Sequence, residues 1–348
     1  PGAANAATGD AGGLGSVLSS VGSLFGAGGL GGALAAGAGW MTGATTFTGA
    51  LGAAGSLIGT GTAGGIMSGI GMGLGALGPL ALGAIALWAI LASLGLALSH
   101  VPPFLLTGLA LVIGSVPAWP LLRQWKVPAR TLALGIYGLF GFHFLLFIAL
   151  RLAPPVEANL VNYLWPLLIV VLAPVVLPGM TLRTAHVAAA MVGFAGAAIA
   201  ILGAGAGTQG GWSWGYLPAL GAAFFWATYS LWTRRVPAFP TAAIGLFGLV
   251  SGLLSLACHW ALEPAATLAA RDWLLVTAMG LGPLGAAFFL WDKALKAGDA
   301  RQIGILSYIT PLASTVLLLS VSGRPLTASI ALAAALIIGA AVVGTRAR

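Results

Sequence analysis

Asn162-Tyr163-Leu164-Trp165-Pro166-Leu167 and Ser307-Tyr308-Ile309-Thr310-Pro311-Leu312 lie 145 positions apart and match at tyrosine, proline and leucine. The same offset pairs Gly135 with Gly280, Phe144 with Phe289, Leu150 with Leu295 and Arg151 with Lys296. An offset of 138 pairs Trp88 with Trp226, in Leu87-Trp88-Ala89 and Phe225-Trp226-Ala227. Between residues 80 and 344 a unit of apolar spans is therefore written twice. Duplicated helix bundles in a membrane are the usual construction of secondary transporters, in which one half rocks against the other around a central site.

Composition names the solvent. Only 6% of the 348 residues are Asp, Glu, Lys or Arg, 59% are hydrophobic, and the mean hydropathy is +1.04. Ordinary soluble domains carry roughly 25% charged residues. Six acids and fourteen bases cannot cover a water-facing surface of this size, so the bilayer is the solvent for most of the chain. The single Cys258, in an apolar run, excludes an internal disulfide framework and reads as a small buried hydrophobe. A net charge of +8 could suggest nucleic acid, but the bases stand singly between apolar runs and fit topology signalling instead.

Ten stretches are long enough to cross a ~30 Å core: 80–98, 103–122, 131–152, 154–174 and 184–203, then 213–233, 241–262, 272–293, 299–320 and 326–344. With the start of the first span in the cytoplasm, inside loops and tail hold Arg123, Lys126, Arg130, Arg183, Arg234, Arg235, Lys293, Lys296, Arg301, Arg346 and Arg348. Only Arg151, Arg271 and Arg324 fall outside. Positive residues concentrate on the cytoplasmic side, so both ends of the ten-span unit are expected there. Five spans per copy is an odd number, which inverts the second copy relative to the first. The expected fold is an all-α membrane protein of ten transmembrane helices in two inverted five-helix repeats, 78–205 and 206–348.

Residues 1–77 differ. They are rich in Gly, Ala, Ser and Thr, carry Asp10 as their one charge, and lack the basic start of a secretory signal. Loosely structured or helical pieces on the membrane surface are expected, with an extra span over residues 17–38 as the alternative. No role is legible in this extension.

Chemistry concentrates where the two repeats match. Pro166 and Pro311 interrupt spans four and nine, and each pushes away the carbonyl four residues earlier, that of Asn162 and of Ser307. Two kinked helices would thereby offer free acceptors near mid-membrane; shaping the bundle is the competing role. Asn159, Asn162, Tyr163 and Pro166 follow i, i+3, i+4, i+7 spacing, a single stripe that is costly against lipid. It faces either a cavity or a neighbouring helix as hydrogen-bonding glue. Trp165 lies at its edge. Trp88, His143, Trp226, Tyr229, Trp291 and Tyr308 could complete an aromatic cavity. Trp119, Trp125, Trp212 and Trp214 sit at span ends and suit the interfacial belt.

Acids are few. Glu157 stands at the outer start of span four, Asp292 at the inner end of span eight with Lys296 as its i+4 partner. Glu263, Asp272 and Asp299 lie at span ends and are expected to be solvated. His-Glu-x-x-His, a P-loop and a Gly-x-Ser-x-Gly elbow are all absent, so no catalytic, metal or cofactor assignment arises.

The duplicated unit together with Leu160-Val161-Asn162-Tyr163-Leu164-Trp165-Pro166, Phe225-Trp226-Ala227-Thr228-Tyr229 and Ser307-Tyr308-Ile309-Thr310-Pro311-Leu312 resembles the drug/metabolite transporter superfamily, and within it the bacterial aromatic amino acid exporters. The resemblance spans about residues 78–346. It implies ten helices around a central cavity, and export of aromatic and other neutral amino acids across the bacterial inner membrane. The expected state is a monomer embedded in lipid. Two other functions compete. Efflux of cationic drugs or small metabolites would call for an embedded acid facing the cavity, for which Glu157 is the candidate. A membrane enzyme acting on lipid would call for clustered His, Asp or Glu at one face, which the sequence lacks.

Overall fold

Hydrocarbon offers no hydrogen-bond partners, so a chain this apolar must satisfy its backbone within helices or a closed barrel. The computed structural model describes residues 77–203, 212–321 and 327–346, and these are helical with no strand among them. The extension 1–76, including the alternative span at 17–38, lies outside the described residues, as do Arg324 and Arg348.

α1 (Leu77–Ala89) continues after one residue as α2 (Leu91–Ala97), and α3 (Pro103–Ser115) runs into a 3-10 segment, Val116–Trp125. α4 (Ala129–Ile136) and α5 (Phe142–Leu152) are joined by a π turn, Tyr137–Gly141. α6 (Pro155–Asn162), α7 (Trp165–Val176) and α8 (Thr184–Gly203) complete the first half. In the second half α9 (Tyr216–Trp232) and α10 (Ala243–Leu262) precede α11 (Ala270–Leu281), which a π turn at Gly282–Ala286 joins to α12 (Ala287–Ala297). α13 (Ala300–Leu306), α14 (Ile309–Val321) and α15 (Ala328–Arg346) follow. Proline opens α3 and α6, where its missing N–H costs nothing, and the Asp299 side chain caps α13 by accepting from the Arg301 N–H. Among the described residues, seven helical stretches are long and apolar enough to cross a membrane: Pro79–Ala97, Pro103–Trp125, Ala129–Leu152, Pro155–Val176, Thr184–Leu202, Ala243–Leu262 and Ala270–Ala297.

Helices of the two halves pack on one another: α1 on α12, α3 on α10, α5 on α9, α7 on α13 and α8 on α15. Polar contacts gather at two ends of the bundle. At one, His100 Nε2 lies 3.2 Å from Asp272, Glu263 accepts from Phe104 N–H and Arg151, and Ser213 donates to the Leu152 carbonyl. At the other, Arg234 donates to the Gly298 carbonyl, Arg301 to that of Thr181, and Lys296 to that of Phe239.

These contacts correct the expectation that the acids at span ends are solvated. The Glu263 carboxylate is fully buried, and Asp272 is buried against Ala269 N–H and His100. An acid at a helix end is shielded when neighbouring helix termini aim their N–H groups at it, which sequence position alone does not reveal. A second correction concerns the kinks. The breaks exist, over Tyr163–Leu164 and over Ser307–Tyr308, but the Ser307 carbonyl is not free: it accepts from the Thr310 N–H at 3.0 Å. A tight turn at the break recovers the bond that Pro311 forfeits.

Close backbone approach sets the packing of α3 against α11. A Cβ on Gly280 would lie 2.6 Å from the Ala110 carbonyl oxygen, and one on Gly114 would lie 2.6 Å from that of Gly280. Backbone cannot yield as a side chain can, so Gly280→Ala is expected to lower the melting temperature of the detergent-solubilised protein by several degrees, from about 1–3 kcal/mol of overpacking. Gly95→Ala, at a site with nothing within 4 Å, should not. Equal melting temperatures for the two variants would show that α3 and α11 do not meet at this distance.

Candidate functional site

Four indoles from four helices meet inside the bundle. Trp88 of α1, Trp165 of α7, Trp226 of α9 and Trp291 of α12 have centroid separations of 6.5 Å (Trp88–Trp165), 5.8 Å (Trp88–Trp226), 5.2 Å (Trp88–Trp291), 6.4 Å (Trp165–Trp226), 5.6 Å (Trp165–Trp291) and 6.1 Å (Trp226–Trp291). Every tryptophan of the set touches the other three, mostly edge to face, as the ring quadrupole favours. Phe288 extends the cluster against Trp88 and Trp226, and Phe142 and Tyr229 close on Trp226. Trp165, Trp226 and Trp291 are buried, while Trp88 is partly exposed.

Two hydrogen bonds fix the rings. Trp88 Nε1 donates to the Pro283 carbonyl at 3.1 Å, and Trp291 Nε1 donates to Ser230 Oγ at 3.2 Å. Pro283 belongs to the Gly282–Ala286 π turn, which lies 145 positions after its counterpart at Tyr137–Gly141. In the first π turn, glycine makes room: a Cβ on Gly138 would fall 2.2 Å from the Tyr229 ring and one on Gly141 2.8 Å from the Phe225 ring. The wider i→i+5 turn interrupts a helix and is frequent at functional sites.

The remaining sequence-derived residues divide. His143 is buried beside the cluster, its ring 6.3 Å from Phe288, and its Nδ1 lies 2.6 Å from the Leu139 carbonyl. A carbonyl only accepts, so Nδ1 carries the proton. Asn162 ends α6 at the break before Trp165 and holds a buried side-chain oxygen with no hydrogen-bond partner among the described residues. Asn159 of α6 and Tyr163 of the break are half-buried, the Asn159 carbonyl accepting from the Tyr163 N–H. Pro166 opens α7 directly behind the break. Tyr308 and Pro311 stand at the second break, but Tyr308 packs with Leu82, Ile85, Ile337 and Phe194 in a separate apolar cluster rather than with the tryptophans.

Asp292 is the acid next to the cluster, adjacent in sequence to Trp291, and it is buried. Its Oδ2 accepts from Lys296 Nζ at 2.6 Å and Thr241 Oγ1 at 2.7 Å. Lys296 also donates to the Phe239 carbonyl and sits 3.8 Å over the Phe239 ring. The acid is thus neutralised where it stands, and the pair ties α12 to the segment before α10.

A model of the EamA-like transporter family matches residues 75–202 and again 213–345. The chain belongs to that family. It is a transporter and not an enzyme, and the family unit occurs twice in the chain. Among its relatives, a protein of Ancylobacter novellus named aromatic amino acid exporter YddG is 44% identical over 276 residues, 75% of this chain and 94% of the relative. An uncharacterized transporter of Acidianus ambivalens is 25% identical over 219 residues, 60% of this chain and 80% of the relative. A solved crystal structure, 42% identical, superposes with a TM-score of 0.71 over 76% of this chain and 94% of the other. Within this EamA-family fold, Phe288, Phe142, Ser230 and both π turns escaped the sequence reading. The Gly135, Gly138, Gly141 spacing was the one available signal for the first turn.

Proposed function

We propose that this chain exports amino acids, aromatic and other neutral ones, by alternating access around the tryptophan cluster. The carrying observation is that four indoles from both halves converge in the bundle interior beside a helix break. An aromatic side chain would lie among the indoles. The ammonium of the substrate would sit over an indole face or take the unpartnered Asn162 oxygen, and its carboxylate would face the N-terminus of α7. Asn159, Tyr163, Tyr229 and His143 flank this position, and Tyr308 stands at the equivalent break. Centroid separations of 5.2–6.5 Å leave no slot for a further ring, so binding requires the rings to part, which relative motion of the halves supplies. The name of the 44% identical relative supports the substrate class.

Ten spans in two inverted repeats accord with the polar ends of the bundle. Leu152, Ser213, Glu263 and Asp272 share one end, and Thr181, Arg234, Phe239, Lys296 and Gly298 the other, so the chain changes ends at each intervening helix. Contacts of α1 with α12 and of α5 with α9 are interchanged by a two-fold relation between the halves, as inverted repeats require. Beyond the seven long stretches, α9, the broken α13–α14 pair and α15 would supply the other three spans, α9 with 17 helical residues being the shortest. The bias of bases supports a cytoplasmic position for Arg123, Lys126 and the C-terminus, and the reading puts the protein in a bacterial inner membrane.

Two measurements test the reading. Proteoliposomes preloaded with phenylalanine should accumulate labelled phenylalanine or tryptophan by counterflow. Counterflow of a quaternary ammonium cation instead would favour drug efflux, a reading that the Asp292–Lys296 pair disfavours. Single cysteines placed at Lys126 and Arg346 in intact cells should resist an impermeant maleimide, and labelling at either position overturns the topology.

A further inference from the structure

A cleft of about 380 Å³ opens between the start of α4 and the end of α9, away from the tryptophan cluster. Arg130 and Leu134 of α4 and Tyr137 of the π turn line one wall; Trp232, Arg235 and Val236 line the other. Arg130 and Arg235 are exposed, and among the described residues the ion pairs involve other side chains, so neither guanidinium has a carboxylate partner. Two like charges facing one cleft without an acid are mutually repulsive until an anion arrives. The rest of the lining is apolar. The Tyr137 hydroxyl is engaged with Thr228 at 2.7 Å and its ring stacks on Phe225 at 4.1 Å, so it offers a face rather than a donor. Trp232 lies against that ring and is 39% exposed.

The geometry points to a binding site for an anionic phospholipid, its phosphate held between Arg130 and Arg235 and an acyl chain lying along Leu134, Val236 and Trp232. A guanidinium pair suits a phosphodiester, offering forked donors on both sides. A free anion would use the two arginines and leave the apolar walls wet; a lipid uses both features, and the surroundings of α4 and α9 supply it. Basic pockets between membrane helices that hold headgroups follow the same physics. Lipid in this cleft would brace α4 against α9 beside the first π turn.

Native mass spectrometry of the delipidated full-length protein, titrated with palmitoyl-oleoyl phosphatidylglycerol, reads the site directly and is independent of substrate identity. Arg130→Ala with Arg235→Ala is expected to weaken the first phosphatidylglycerol by about 30-fold, near 1 kcal/mol per charge. Arg123→Ala with Lys126→Ala, which removes equal charge from the neighbouring loop, should leave that affinity unchanged. Phosphatidylcholine of the same chains should bind both proteins weakly, and millimolar inorganic phosphate should not displace phosphatidylglycerol. Equal weakening by the two double variants, or none by the first, overturns the proposal. Displacement by inorganic phosphate also overturns it, assigning the cleft to a free anion. Should the first double variant not purify, Arg235→Ala alone, beyond the end of α9, carries the comparison with about fivefold expected.

Discussion

Replacing Trp226 with alanine is expected to lower amino acid counterflow in proteoliposomes by about tenfold to a hundredfold at low substrate. The residue is the hub of the aromatic cluster, in ring contact with Trp88, Trp165, Trp291, Phe288, Phe142 and Tyr229. A bound aromatic side chain would exchange one or two such contacts for its own, each worth about 0.5–1.5 kcal/mol, and tenfold in affinity corresponds to about 1.4 kcal/mol. Trp226→Phe keeps a ring and should retain most of the activity. Truncation also leaves a cavity, so the protein must be shown monodisperse before the rate is read. Wild-type counterflow of phenylalanine and tryptophan by a folded Trp226→Ala protein would place the binding site elsewhere. Trp88→Ala should act in the same direction with less risk to folding, because Trp88 is partly exposed.

The duplication was legible because it is written in residue identity: Tyr163 and Tyr308, Pro166 and Pro311, Trp88 and Trp226 recur at fixed offsets. So was the presence of Trp88, Trp165 and Trp226 in one region, since indoles near span centres do not suit the interfacial belt. Their mutual contact was not legible, because it depends on how α1, α7, α9 and α12 rotate about their axes. Tyr308 shows the limit of reasoning by repeat. It matches Tyr163 in the string, yet its neighbours Leu82, Ile85 and Ile337 are aliphatic and it packs as core. The first π turn holds no proline, and Pro283 in the second does not distinguish a π turn from an ordinary break, because an extra residue in a helix shifts the register without changing composition. Asp292 was read with its Lys296 partner because i+4 pairing is local, whereas its bond to Thr241 and its burial come from tertiary packing.

The burial of Glu263 likewise comes from tertiary packing, and its removal is expected to have the largest effect on stability. Both carboxylate oxygens accept from Phe104 N–H, at 3.0 and 3.1 Å, and Oε2 from Leu105 N–H at 3.2 Å. Arg151 Nη2 donates at 2.8 Å and His259 Nδ1 lies at 3.0 Å. One side chain after α10 thereby terminates the first turn of α3 and holds the end of α5, joining three helices that are distant in sequence. Its two kinds of partner differ in value. The Arg151 side chain is 45% exposed, so solvent screens that pair and its share is under about 1 kcal/mol. The N–H groups opening α3 are part-buried, and stranding them costs about 1–3 kcal/mol, with the helix dipole adding to the loss. Glu263→Ala is accordingly expected to destabilise by about 2–4 kcal/mol, read as a fall of many degrees in the melting temperature in detergent. Arg151→Ala should move it by only a degree or two. Glu263→Gln keeps one acceptor oxygen and should fall between. Matching losses for Arg151→Ala and Glu263→Ala would mean that the ion pair, and not the capped helix end, holds this side of the bundle together.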